Sequence, residues 1–146
     1  MTEPVYQQID ASLLGPEHVA RYRETDGEVG YIWNGATTLL LTHTGRKSGE
    51  EHTTPLIFAY DGDDMLVVAS MGGAPMHPQW YLNVEANPTV KVQVKGDKLT
   101  ATARTATEEE KPRLWDIVSA QWPNYDVYQT RTDRVIPLVV LTPVAS

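Results

Sequence analysis

Six short runs of β-branched, aliphatic or alternating residues, most of them parted by tight turns, leave this chain few folds to choose from. They fall at residues 37–44 (TTLLLTHT), 53–60 (TTPLIFAY), 65–70 (MLVVAS), 90–95 (VKVQVK), 98–105 (KLTATART) and 135–142 (VIPLVVLT). Such compositions favour strands. A glycine-flanked turn at 45–49 and Asp61-Gly62-Asp63-Asp64 join the first three runs, which predicts an antiparallel meander. Gly96-Asp97 joins the fourth and fifth, a second hairpin with strong alternation.

Helical signals fill the gaps between these runs. Residues 16–24 are weakly helical and stop at Asp26-Gly27, and Pro78 opens a short helix carrying Trp80-Tyr81-Leu82 that ends near Asn87-Pro88. Thr107 and Glu110 form a capping-box pattern that starts a helix reaching about Gln121. Trp122-Pro123-Asn124 breaks it, and a loop-like tyrosine-rich segment follows, placed where a lid would sit. Six mostly antiparallel strands with short helices outside or across one end predict an α+β domain built on a small β-barrel.

Composition narrows the function. A chain of 146 residues is read as one domain, 1–146, with residues 1–15 a mobile amino-terminal arm. The net charge of -7 provides no general basic surface for nucleic acid. With no cysteine, a disulfide scaffold, a thiol nucleophile and a thiolate metal site are excluded. No basic and apolar leader precedes the domain, and the longest apolar runs, 39–41 and 138–141, are too short to span a bilayer. A soluble, cytoplasmic protein is expected.

The familiar catalytic signatures are missing. Gly45 precedes Arg-Lys-Ser, but Leu40 stands where a phosphate loop needs its leading glycine and a strand follows instead of a helix. No GxGxxG element occurs, and Ser70 in VASMGG lacks the GxSxG elbow. His18, His43, His52 and His77 match no zinc spacing, although His43 and His52 could face each other across a hairpin. No metal is expected.

Three features carry chemistry. Arg46, Lys47 and Ser48 sit between Gly45 and Gly49 in an acidic chain; they are either a solvated hairpin turn or a phosphate grip. The stretch GGAPMHPQWYLN is either a turn feeding a buried Trp80 or a slot where a planar ring lies close to glycine backbone. Trp115, Trp122, Tyr125 and Tyr128 are either core or the wall of a pocket for a flat ligand. Together they describe a site for a phosphorylated planar cofactor.

The series LLLTHTGRKSG, TTPL, VASMGG, HPQWYLN with ANP, and YDVYQTRTDRVIPLVVL, in this order from about Tyr22 to Pro143, resembles the deazaflavin-dependent nitroreductase family of actinobacteria. The resemblance implies a flavin-binding split β-barrel, here six-stranded. It also implies a cofactor, 8-hydroxy-5-deazaflavin (factor 420), that carries a phosphodiester and a glutamate tail. Its members reduce quinones, nitro compounds and other electron-poor acceptors. By this likeness Arg46, Lys47 and Ser48 form the phosphate-binding turn, and Thr53, Thr54, Pro55 and Leu56 the strand bordering the cofactor. Ala69 and Ser70 lie beside the ring, and Trp80, Tyr81, Leu82 and Asn83 belong to the helix flanking it. Tyr125 and Tyr128 line the acceptor side. The implied catalytic donor to the acceptor oxygen is Tyr125, with Tyr128 or Ser70 as second choices.

This chain departs from the family pattern at His52, where an arginine is expected, and at Met71 and Met76, where lysines are frequent. Trp122 replaces a tyrosine of the nitro-reducing type. The expected partner is a small-molecule acceptor, with peripheral membrane contact if that acceptor is a lipid quinone, and a homodimer is compatible with the pattern. A non-catalytic deazaflavin carrier or sensor, or a flavin mononucleotide oxidoreductase on the same barrel, would present the same pocket.

Overall fold

A computed structural model describes Tyr6 and residues 8–144. Its strands are β1 (Ile32–Trp33), β2 (Ala36–Thr44), β3 (Glu51–Ile57), β4 (Ala59–Asp61), β5 (Asp64–Val68), β6 (Thr89–Val94), β7 (Asp97–Thr105) and β8 (Leu138–Pro143). Every pairing is antiparallel, in the order β1-β2-β6-β7-β8-β5-β4, with β3 also paired to β2.

The six-strand expectation is therefore corrected to eight, for two reasons. A two-residue strand, β1, precedes the first run, and the run at 53–60 is two strands. That run changes partner at Phe58: Ile57 pairs with Thr38 of β2, whereas Ala59 pairs with Leu66 of β5. The chain from β3 into β4 thus leaves one part of the sheet and joins the other, curling it into a half-barrel. Phe58, 1% exposed, anchors the crossing in the core.

The predicted meander of three runs forms through its divided middle run: β3 pairs with β2 and β4 with β5, all antiparallel. On its other side β5 pairs with β8, Val67 opposite Val139. Met65 and Val67 join an inner cluster with Leu39, Leu41, Val92, Val139 and Leu141. Leu66 and Val68 join an outer one with Leu114, Val118, Leu138 and Val140. A strand buried on both faces has no polar side, so its sequence shows no alternation.

Four helices, α1 (Gly15–Thr25), α2 (Gln79–Ala86), α3 (Lys111–Gln121) and α4 (Asn124–Thr130), pack on this sheet. Tyr22 of α1 is fully buried; its hydroxyl donates to the Thr38 carbonyl (3.0 Å) and accepts from the Lys95 backbone nitrogen (2.7 Å). The capping box forms as expected, with the Thr107 nitrogen 2.7 Å from Glu110 Oε2 and the Glu110 nitrogen 3.3 Å from Thr107 Oγ1. It shapes a turn just ahead of α3, whose first residue is Lys111.

The tyrosine-rich segment is helix α4, not a loop. Asn124 at its start is fully buried, and Tyr125 and Tyr128, three apart, point to one side. Residues 1–5 and 7 of the expected mobile arm lie outside the described residues. Within its described part, the Leu13 carbonyl accepts from Trp33 Nε1 (2.8 Å) and the Asp10 nitrogen donates to Asn34 Oδ1 (2.6 Å). No described helix is long and apolar enough to cross a membrane.

Candidate functional site

The turn between β2 and β3 is built around close approaches. Gly45 donates to the Glu50 carbonyl (2.8 Å) and its carbonyl accepts from Gly49 (2.9 Å). A Cβ on Gly45 would stand 2.5 Å from Ser48 Oγ, so a larger residue there would displace the Ser48 hydroxyl from its place in the turn. The Ser48 hydroxyl oxygen accepts from the Glu50 nitrogen (3.1 Å), which spends one of its lone pairs on the turn itself.

Arg46 is held against α2. Its Nη1 donates to Asn83 Oδ1 (2.9 Å), its Nη2 to Gln79 Oε1 (2.8 Å), and its backbone nitrogen also to Asn83 Oδ1 (3.1 Å). Lys47 is exposed beside it. Among the described residues the ion pairs are Lys91–Glu51, Arg104–Glu110 and Arg113–Asp61, so no carboxylate neutralises Arg46 or Lys47. Two cations at a turn with no carboxylate partner attract an anion.

Asn83 continues the network inward. Its Nδ2 donates to His43 Nδ1 (3.1 Å), and His43 Nε2 lies 3.2 Å from Thr54 Oγ1. His43 is 4% exposed and pairs in register with His52, their rings 5.8 Å apart. Burial, with His52 adding to it, pushes the His43 imidazole down from 6.5 to about 4. It is neutral at pH 7.

Two cavities open here and share Thr54 and Trp80. One, of about 550 Å³, is lined by Arg46, Lys47, Ser48, His52 and Asn83. The other, of about 400 Å³, lies between Pro55 and Leu56 on one side and Ser70, Trp122, Tyr125 and Tyr128 on another. The two cavities therefore adjoin at Thr54 and Trp80, one cationic and the other aromatic. Trp33 packs at a tilt against Trp122 (ring centroids 5.7 Å apart), and Trp122 Nε1 donates to the Tyr128 hydroxyl (3.4 Å). Tyr125, in ring contact with Trp115 and Tyr128 (6.2 Å each), is 5% exposed. Burial raises its phenol far above the usual range, so it stays a protonated donor.

The loop between β5 and α2 forms the rim. Arg134 holds it from within: Nη1 donates to the Ala69 carbonyl (3.0 Å) and His77 Nδ1 (3.0 Å), Nη2 to the Ser70 carbonyl (2.9 Å), and Nε to the Ala74 carbonyl (3.1 Å). The two glycines expected to admit a ring differ in use. A Cβ on Gly73 would lie 2.5 Å from the Tyr128 carbonyl, so that position is filled by α4. Gly72 has open space around it and lines the aromatic cavity.

Of the residues singled out in the sequence, Arg46, Lys47, Ser48, Thr54, Trp80 and Asn83 meet at the cationic end. Thr54, Pro55, Leu56, Ser70, Trp80, Tyr125 and Tyr128 meet at the aromatic end. Thr53, Ala69, Tyr81 and Leu82 line neither cavity. Thr53 Oγ1 accepts from Arg23 (2.8 Å), Ala69 is fully buried, the Tyr81 hydroxyl pairs with Thr105 (2.8 Å), and Leu82 packs on the inner core. Met71 and Met76 are exposed, Met71 at the rim. Residues not singled out as site residues include His43, Gln79, Arg134 and Trp33. For His43 a signal existed, since its register opposite His52 follows from the hairpin; Arg134, distant in sequence from its partners, gave none.

The family model described as F420H(2)-dependent quinone reductase matches residues 15–143. This chain belongs to that family. An F420H(2)-dependent quinone reductase of Mycobacterium tuberculosis is a family relative 45% identical over 129 residues, spanning 86% of this chain and 87% of its own. The solved structure of an F420-H2 dependent reductase is 43% identical with a TM-score of 0.67, covering 71% of this chain and 92% of its own. A further solved structure, described as a domain-swapped dimer, is 36% identical with a TM-score of 0.69, covering 87% and 99%.

Proposed function

We propose that this quinone reductase family member transfers a hydride from reduced 8-hydroxy-5-deazaflavin to a quinone, with nitro compounds and other electron-poor molecules as further acceptors. The observation that carries this reading is the pair of adjoining cavities: two cations without a carboxylate partner line one, aromatic walls the other, and Thr54 and Trp80 line both. The donor set fits the group. A phosphodiester suits Arg46 and Lys47, a flat ring suits the strip of Thr54, Pro55 and Leu56 opposite Ser70, and among the described residues no carboxylate lines either cavity.

When bound, the reduced cofactor supplies a hydride, because carbon replaces the flavin N5. The protein's part is placement, exclusion of water and charge stabilisation. Arg46, already fixed by Asn83 and Gln79, loses little freedom on holding a phosphate. Trp33, Trp122 and α4 close the aromatic end against water. Tyr125 offers its hydroxyl to the acceptor oxygen as negative charge builds there, with Tyr128 and Ser70 as neighbours for a second hydrogen bond. Thr53, Ala69, Tyr81 and Leu82 support the walls from behind. We also assign the curled sheet to the split-barrel type, the domain to the whole chain, a homodimer to its working form and the cytoplasm to its location.

A fluorescence titration with the deazaflavin and flavin mononucleotide side by side tests the cofactor. Micromolar or tighter binding of the deazaflavin and much weaker binding of flavin mononucleotide is expected; equal affinities would refute the assignment. Turnover of menadione with pre-reduced cofactor separates an enzyme from a carrier.

A further inference from the structure

Resting on that cofactor reading, we propose that His43 is a positioning residue that fixes the Thr54 hydroxyl as a hydrogen-bond donor toward an acceptor atom of the bound planar ring. The chain of inference starts at Arg46, whose backbone nitrogen and guanidinium can only donate. Both meet the same Asn83 atom, 3.1 and 2.9 Å away, so that atom is the amide oxygen and the orientation of Asn83 is settled. The Asn83 amino group then faces His43 Nδ1 at 3.1 Å. Two donors cannot face each other at that distance, so Nδ1 carries no hydrogen and the imidazole proton sits on Nε2.

Nε2–H points at Thr54 Oγ1, 3.2 Å away, and occupies one of its lone pairs. The Thr54 hydroxyl hydrogen must then go elsewhere, and no acceptor takes it among the described residues. Thr54 lines both cavities. A half-buried hydroxyl with one unsatisfied hydrogen selects a ligand presenting a lone pair there, a carbonyl oxygen or an unprotonated ring nitrogen. His43 itself lines only the cationic cavity and is 4% exposed. It therefore acts through Thr54, and the series Arg46, Asn83, His43, Thr54 links the anion end to the ring end.

The test combines binding with a readout that needs no ligand. Imidazole nitrogen shifts of the free protein by NMR should show His43 protonated at Nε2 and bare at Nδ1; the opposite tautomer would overturn the proposal. In titrations with the oxidised deazaflavin, Thr54→Val should weaken binding about five- to tenfold, the worth of one neutral hydrogen bond. It should also shift the absorption band of the bound ring. Thr54→Ser, which keeps the hydroxyl, should stay within about twofold of wild type, the resolution of such a titration. His43→Gln retains a donor toward Thr54 and should bind the ring better than His43→Asn, which retains only the acceptor for Asn83. In Thr54→Val, adding His43→Asn should cost nothing further; additive losses would mean two independent structural roles and would sink the idea. Wild-type affinity in Thr54→Val would sink it too. Failure of the wild type to bind the deazaflavin, with the tautomer as expected, would overturn the cofactor reading and with it the ring contact, not the internal His43–Thr54 bond.

Discussion

Asn83 Oδ1 accepts two hydrogen bonds from Arg46, 3.1 Å from its backbone nitrogen and 2.9 Å from Nη1. One helix side chain thereby fixes both the path of the β2–β3 turn and the direction of its guanidinium. The free turn would have to order a long, flexible arginine on binding; this one has already done so.

That preorganisation predicts unequal roles for the two cations. Arg46→Ala should weaken deazaflavin binding more than Lys47→Ala, and the double change should cost roughly 3 kcal/mol from two lost charge-assisted bonds. Stability should fall by only about 1–2 kcal/mol, because Lys47 is exposed and Asn83 Oδ1 keeps the backbone nitrogen of residue 46 as a donor when the guanidinium is removed. Affinity within about threefold of wild type, well short of the 1.4 kcal/mol of a tenfold change, would show the pair to be solvated ornaments of the hairpin.

Tyr125→Phe isolates one hydroxyl. Cofactor affinity should remain within about twofold, while menadione reduction falls roughly 10²-fold if that hydroxyl serves the acceptor oxygen. Because burial raises the phenol above its usual range, ionisation of Tyr125 should not lower the rate as pH rises to about 9. An unchanged rate in Tyr125→Phe, with hydride transfer shown to limit it, would transfer the role to Tyr128, Ser70 or water.

His43 predicts a pH dependence of stability. Its imidazole, ordinarily near 6.5, is pushed down to about 4 in the fold. Between these values the unfolded chain binds the proton more readily than the native one, so stability rises with pH across this window. The contribution is fully present above about 6.5 and is lost as pH falls toward 4, by up to about 3 kcal/mol. Denaturant unfolding at pH 7 and pH 5 in wild type and His43→Phe checks it: the wild-type slope should flatten in the variant.

Arg134 holds three carbonyls and His77 Nδ1 with one fork. Arg134→Met should destabilise the protein by about 2–4 kcal/mol and free the rim, since partly buried acceptors lose their donors. Arg134→Lys should recover only part of this, because an ammonium is a point donor and cannot span the same acceptors. Deuterium exchange confined to residues 69–77 would separate a local loosening from global unfolding.

The sequence by itself determined the six runs that become strands and the local signals that bound them. Alternation in 98–105, the turn at 45–49, the Thr107–Glu110 box and the i,i+3 tyrosines are local signals, written within a few residues of where they act. Many of the residues that line the two cavities were legible because a glycine-flanked cation pair and an aromatic cluster are rare enough to notice; the roles proposed for them come from the family resemblance. Tertiary structure decided what depends on distant partners. Phe58 divides one apolar run into two strands only because residues on either side meet different neighbours, Thr38 and Leu66. β5 could not be paired with β8 from its sequence, since burial on both faces erases the alternation that would reveal its register. The link from Arg46 through Asn83 and His43 to Thr54 joins residues up to 40 positions apart, and Arg134 reaches back 65 to the Ala69 carbonyl. Such bonds exist only when the sheet has curled, because hydrogen bonding requires atoms about 3 Å apart and no local pattern records which remote atoms will arrive there.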